Sequence, residues 1–221
     1  MQAEYEGLTF ERPGHATVRI ETTDGTVIYI DPWSEVIDGA PGDADFVFVT
    51  HDDRDHYDPE AIQAVSSDST QVAAYEAIET GELGQDVTSL PYDGETTVGD
   101  IEVQTVPAYN RSDGDHVRES GDPYHAEGEV IGLMLGIDGV SVYFPSDTDF
   151  LEDHRDIDAD VMLPPIGGSY TMDRHEAAEM VEADHEASGQ IQDDLARRDA
   201  DVGESVEDRP ERQAHHHPGV G

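Results

Sequence analysis

The nine residues Thr50-His51-Asp52-Asp53-Arg54-Asp55-His56-Tyr57-Asp58 limit what this chain can become more than any other stretch. They follow Phe46-Val47-Phe48-Val49, an apolar run of β-branched and aromatic residues that reads as a buried strand. Two imidazoles and four carboxylates are then packed into eight residues before Pro59 opens a predicted helix. So many like charges repel one another in water. A divalent cation would turn that repulsion into coordination, because neutral imidazole and carboxylate are both good ligands. The plainer reading is a solvated acidic loop, and in so acidic a chain surplus Asp residues say little. Two histidines in the spacing His-x-x-x-Asp-His, directly at a strand end, say more, since His/Asp clusters mark metal or catalytic sites.

Charge narrows the possible partners. The 221 residues carry 52 acidic side chains against 11 basic ones, all of them Arg, for a formal net charge of -41. Nucleic acid and anionic membranes both require a positive footprint, so neither is expected as a partner; a small-molecule substrate is. Self-repulsion on this scale is best screened at high ionic strength, where the Debye length falls to about 3 Å at 1 M. A salt-adapted, halophilic cytoplasm with an acidic proteome is the expected setting. The chain has no Cys, so metal chemistry would run on His and carboxylate. No apolar run approaches the roughly 18 residues of a membrane span, and the N-terminus lacks a basic-then-apolar signal.

The rest of the body reads as hairpins separated by helices and polar loops. Strands are expected at 17–22 and 27–30, joined through Asp24-Gly25. Others fall at 46–50, 71–74, 87–90 and 161–163. Two further hairpins turn at Gly99-Asp100 (96–98 with 101–106) and Asp138-Gly139 (130–137 with 140–144). Helices are predicted over 59–65, over Tyr75–Thr80 before Gly81, and from Asp173-x-x-Glu176, a capping-box pattern, to about Ala183. Runs of strands packed on helices imply an α+β domain of layered sheets.

The segment from His51 resembles the His-x-His-x-Asp-His motif of the metallo-β-lactamase fold, with Asp53 where the second His usually sits. Gly14-His15-Ala16, Asp31-Pro32-Trp33, Pro107-Ala108-Tyr109-Asn110 and Ser146-Asp147-Thr148-Asp149 follow the family's order, Ser146 replacing a Gly. The match covers about residues 8–182 and is most similar to the compact branch of ascorbate-phosphate lactonase-like proteins. The resemblance implies a four-layer αβ/βα sandwich over residues 1–183, with one or two divalent ions, zinc or manganese/iron. His51 and Asp53 would hold the first ion, Asp55 and His56 the second, and Asp147 would bridge them. Asp55 would also accept a hydrogen bond from the reacting water, making it the expected catalytic residue. His125 is the expected third ligand of the first ion, with His116 in reserve; either can also be an ordinary loop histidine. His15, Asp31, Asn110 and Tyr170 are expected to orient ligands or touch substrate.

From Asp184 the pattern dissolves. Residues 184–221 form a divergent acidic tail, where the family would add a strand ending in Pro-x-His and a further ligand. His185 is the nearest histidine to that gap, and His215-His216-His217 reads as a terminal tract rather than a site. The expected function is hydrolysis of a small ester, lactone or phosphoester by metal-activated water. The alternative is a degenerate relative that binds metal or serves structure without turnover.

Overall fold

The computed structural model describes residues 1–183. The expected tail, with His185 and the tract at 215–217, lies outside the described residues. Two sheets carry the architecture. The first has seven strands in sequence order: β1 (Gln2–Tyr5), β2 (Leu8–Gly14), β3 (Thr17–Glu21), β4 (Val27–Ile30), β5 (Ala44–Val49), β6 (Ser66–Tyr75) and β7 (Val87–Leu90). β1 to β4 pair antiparallel, whereas β4 to β7 run parallel. The second sheet has five strands, ordered β12 (Val161–Met162), β11 (Val140–Phe144), β10 (Val130–Ile137), β9 (Ile101–Ala108) and β8 (Gly94–Val98). Only its β11–β12 pair is parallel.

Alternation along the strands creates the layers. Val142 and Phe144 of β11 join a core shared with Ile20, Phe48 and Leu133 from both sheets. Tyr143, between them, points the other way, into a second cluster with Met162, Met172 and Met180 beneath α2 (Arg174–Ala183). The turn at Gly99 shows how closely the sheets approach: a Cβ there would lie 2.6 Å from the Phe46 ring. This is the layered α+β sandwich that the resemblance implies.

Helix α1 (Pro59–Val65) forms where the sequence places it. Asp58 caps it by accepting hydrogen bonds from Glu60 N (3.0 Å) and Ala61 N (3.3 Å), and Pro59 starts it. α2 carries the expected capping box, Asp173 N donating to Glu176 Oε2 (2.9 Å) and Glu176 N to Asp173 Oδ1 (3.0 Å). One expectation fails: Tyr75–Thr80 is not a helix. Tyr75 ends β6, and Glu76 N donates to Leu90 O at 2.8 Å, continuing the sheet; a 3-10 turn follows at Gly81–Leu83. Pairing with a neighbouring strand outweighs the modest helix preference of Glu and Ala there. β1 and β2 form an additional hairpin, and β6 begins five residues before the expected Gln71.

The sheets converge at one end. Thr50, just past β5, accepts a hydrogen bond from Ile131 N of β10 at 3.3 Å, bringing the acidic nonapeptide over the second sheet.

Candidate metal centre

Two strand ends and one loop supply the side chains. His51, Asp53, Asp55 and His56 leave β5, Asp147 leaves β11, and His125 stands on the loop before β10. His51 and His56 lie with ring centroids 3.9 Å apart, and His125 meets His51 edge-on at 5.5 Å. His125 Nε2 is 3.3 Å from Asp53 and 3.6 Å from Asp147, His51 Nε2 is 3.7 Å from Asp53, and His56 Nε2 is 3.6 Å from Asp147. Ligands on a tetrahedron around an ion at 2.0–2.2 Å stand about 3.3–3.6 Å apart. The spacing is therefore that of donors arranged around shared cations.

The strongest sign of fit is a pair of orphaned atoms. Nε2 of His51 and of His56 are buried without a hydrogen-bond partner. An unmade bond at a buried nitrogen is costly, and a cation would satisfy both. Their other nitrogens are pinned. His56 Nδ1 lies 2.8 Å from Asp31 Oδ2, and His51 Nδ1 lies 3.0 Å from Thr50 Oγ1, which itself donates to Asp31 Oδ2 at 2.7 Å. Asp31 is wholly buried and also accepts Thr50 N at 2.9 Å. It thus fixes the His56 tautomer that leaves Nε2 as the free donor atom.

The electrostatics differ between the two buried histidines. Burial and the neighbouring imidazole of His56 push His51 well below its ordinary range, so it is the neutral, ligating form. Burial opposes charge on His56, yet Asp31 and Asp147 prevail and raise it to about 10, so a cation at Nε2 would take the place of a proton there. Burial would raise Asp147, but contact with His56, aided by His51 and His125, holds it well below the usual carboxylate range. The contact with His125 likewise lowers Asp53.

Asn110 belongs to the support of this centre. Its Oδ1 accepts His125 N (2.8 Å) and faces His125 Nδ1 (3.2 Å), while Nδ2 donates to Asp149 Oδ1 and Tyr170 O, both at 2.9 Å. His116 is not part of the cluster. It is tied to Asp149 at 2.6 Å, away from His51. Asp149 and Thr50 were not singled out from sequence, although both sit inside the segments that were. Ser146 occupies the place of the expected Gly with φ +61° and lies 2.8 Å from Thr50 Oγ1, an interaction that offsets the strained backbone.

Asp55 sits at the rim, its side chain 39% exposed and 3.3 Å from His15 Nε2. His15, Asp55 and His56 form one group of potential ligands and His51, Asp53 and His125 another, each with its ligand atoms within 4.8 Å of one another. Two cavities open on the centre. One, about 680 Å³, is lined by Asp53, His125, Arg118 and Tyr124. The other, about 640 Å³, is more apolar, lined by Phe10, Phe144, Met162 and the Pro164–Gly167 turn. Tyr170, Asp55 and Asp147 border both. No helix among the described residues is long and apolar enough to cross a membrane.

Comparisons with known proteins fit this geometry. A family model described as the β-lactamase superfamily domain matches residues 10–184. A UPF0173 metal-dependent hydrolase of Methanosphaerula palustris is 33% identical over 167 residues, covering 73% of this chain and 72% of the relative. One from Pyrococcus furiosus is 31% identical over 183 residues, covering 76% of each. A crystal structure of a protein from Parabacteroides distasonis superposes with TM-score 0.73 at 28% identity, covering 90% of this chain and 94% of the other.

Proposed function

The chain belongs to the β-lactamase superfamily, and from that membership and the geometry of its His/Asp centre we propose that it is a metal-dependent hydrolase of small esters, lactones or phosphoesters. The observation that carries the reading is the pair of orphaned, buried Nε2 atoms of His51 and His56, facing Asp53, His125 and Asp147. His51, Asp53 and His125 would hold one cation, Asp55 and His56 the other, with Asp147 between them. When bound, such cations acidify a water and offset charge on the developing oxyanion.

The protein supplies the rest. Asp31, Thr50 and Asn110 hold the three imidazoles so that none rotates out of place. Asp55, half exposed at the border of both cavities, is positioned to take the proton of the attacking water. Tyr170, 58% exposed and edge-on to Tyr124 at 4.7 Å, offers a hydroxyl to substrate at the mouth. Cavities of about 680 and 640 Å³ suit a small molecule. The net charge of -41 disfavours polyanions such as nucleic acid. An Asp at position 53 adds a hard anionic oxygen, which supports manganese or iron alongside zinc.

The test is hydrolysis of p-nitrophenyl esters, simple lactones and bis-nitrophenyl phosphate in molar salt, with zinc, manganese or iron supplied separately. Turnover of at least one class, abolished by a chelator and restored by metal, is expected. Bound metal without turnover of any class would leave a degenerate, non-catalytic relative as the correct reading.

A further inference from the structure

We propose that His15 is itself a ligand of the second cation, through Nε2, completing a set with Asp55, His56 and Asp147. The proposal rests on the metal-centre reading above and adds to it a ligand from the N-terminal hairpin, which lies far in sequence from the other three.

Four observations converge. First, His15 Nε2 stands 3.3 Å from Asp55 Oδ2, the separation expected of two ligands sharing one tetrahedral ion. Second, His56, whose buried Nε2 has no hydrogen-bond partner, groups with His15 and Asp55, each offering a ligand atom within 4.8 Å of the others. Third, Asp55, His56 and Asp147 give three ligands, and a fourth from His15 still leaves a five-coordinate ion one position for water.

The fourth observation is local backbone. β2 and β3 pair Gly14 with Thr17, so His15 and Ala16 make a two-residue turn, and His15 has φ +51°. Turns of this kind favour Gly, Asn or Asp, because a larger side chain strains the left-handed backbone. Histidine is among the larger residues that accept this backbone, and the turn aims its ring at Asp55. The surroundings hold it there: Arg12 Nε donates to His15 O at 2.8 Å, and the His15 ring packs edge-on against Trp33 at 5.0 Å. Gly14 permits the approach, since a Cβ there would lie 2.8 Å from Val36 Cγ1. The ring also meets His56 edge-on at 5.9 Å. The hairpin thus carries an imidazole to the open side of the centre and keeps it there.

The experiment is a cobalt(II) titration of the full chain in molar salt, read by the visible ligand-field spectrum and by metal content after gel filtration. His15→Gly suits the left-handed backbone, so its fold should survive; circular dichroism and melting check this, with His15→Ala as a second variant. Wild type should take up two equivalents. In His15→Gly the first should bind as in wild type and the second about tenfold or more weakly, with an altered spectrum. Added imidazole should restore the second equivalent by occupying the vacated space. Two equivalents bound to both variants with wild-type affinity and spectrum would overturn the assignment. So would a weakened second site that imidazole fails to rescue, which would make His15 a positioning residue. A wild type that binds only one equivalent removes the second site alone, whereas one that binds none also removes the reading beneath it.

Discussion

Replacing Asp31 by Asn tests how the centre is held without changing its shape. Asn is at home in the left-handed backbone of position 31, where φ is +47°, and it is isosteric with Asp. The carboxylate now accepts three hydrogen-bonding contacts: Thr50 N at 2.9 Å, Thr50 Oγ1 at 2.7 Å and His56 Nδ1 at 2.8 Å. An amide has only one oxygen. With that oxygen on Thr50 N, the NH₂ faces His56 Nδ1, which must then become an acceptor, moving the imidazole proton to Nε2. The proton would occupy the lone pair on which a cation depends. Turning the amide over sets NH₂ against Thr50 N–H, two donors face to face. Loss of a supporting partner of this type costs about 10- to 100-fold in metal affinity. That corresponds to roughly 1.4–2.7 kcal/mol. Competition with a chromophoric chelator measures it, and thermal melting checks the fold. A variant that folds and binds both cations within about twofold of wild type would refute the argument that Asp31 sets the His56 tautomer.

Two other outcomes are expected. His154 is fully buried, with Nδ1 accepting Leu151 N and Nε2 donating to Pro107 O, both at 3.3 Å, and burial lowers its pKa. The unfolded chain therefore binds a proton at this residue near pH 6.5, before the folded one does, so stability is present above that value and falls as pH drops toward the depressed folded pKa. Denaturant melts from pH 7.5 to 5 should show this decline. His154→Gln should lessen the slope, with the part due to the buried His51 left in place, and an unchanged slope would count against the assignment. The net charge of -41 predicts that stability rises with salt: a gain of about 2 kcal/mol between 0.1 and 2 M KCl would lift Tm by roughly 4–8 °C. A Tm unaffected by KCl would contradict a salt-adapted surface.

Much of the fold was legible because local chemistry and tertiary fate coincide. Asp58 and Pro59 announce α1, Asp173 and Glu176 announce α2, and the turns at Gly99 and Asp138-Gly139 announce hairpins. The misses fall where they diverge. β1 is short, polar and half exposed, so it offers no apolar run to detect. The first half of β6, Ser66-Ser67-Asp68-Ser69-Thr70, reads as a loop yet extends the strand. Tyr75–Thr80 has helical residues, but Glu76 N is spent on Leu90 O and Ile78 N on Tyr75 O, a single turn off the sheet. At the centre, sequence order was enough to nominate His51, Asp53, His56, His125 and Asp147, which the fold brings together. It was not enough to separate His125 from His116. That choice is made by Asn110 and Asp149, each taking one of the two histidines across distances no local pattern encodes. Nor did it reveal His15 as a candidate ligand, because that contact joins the β2–β3 hairpin to the end of β5.

The most direct test of the account is a crystal soaked with manganese or zinc in molar salt, with anomalous difference maps recorded at each metal edge. The account predicts peaks within about 2.3 Å of His51 Nε2 and of His56 Nε2, each also in contact with Asp147. Clean maps at those two nitrogens, in crystals that show metal elsewhere, would contradict it.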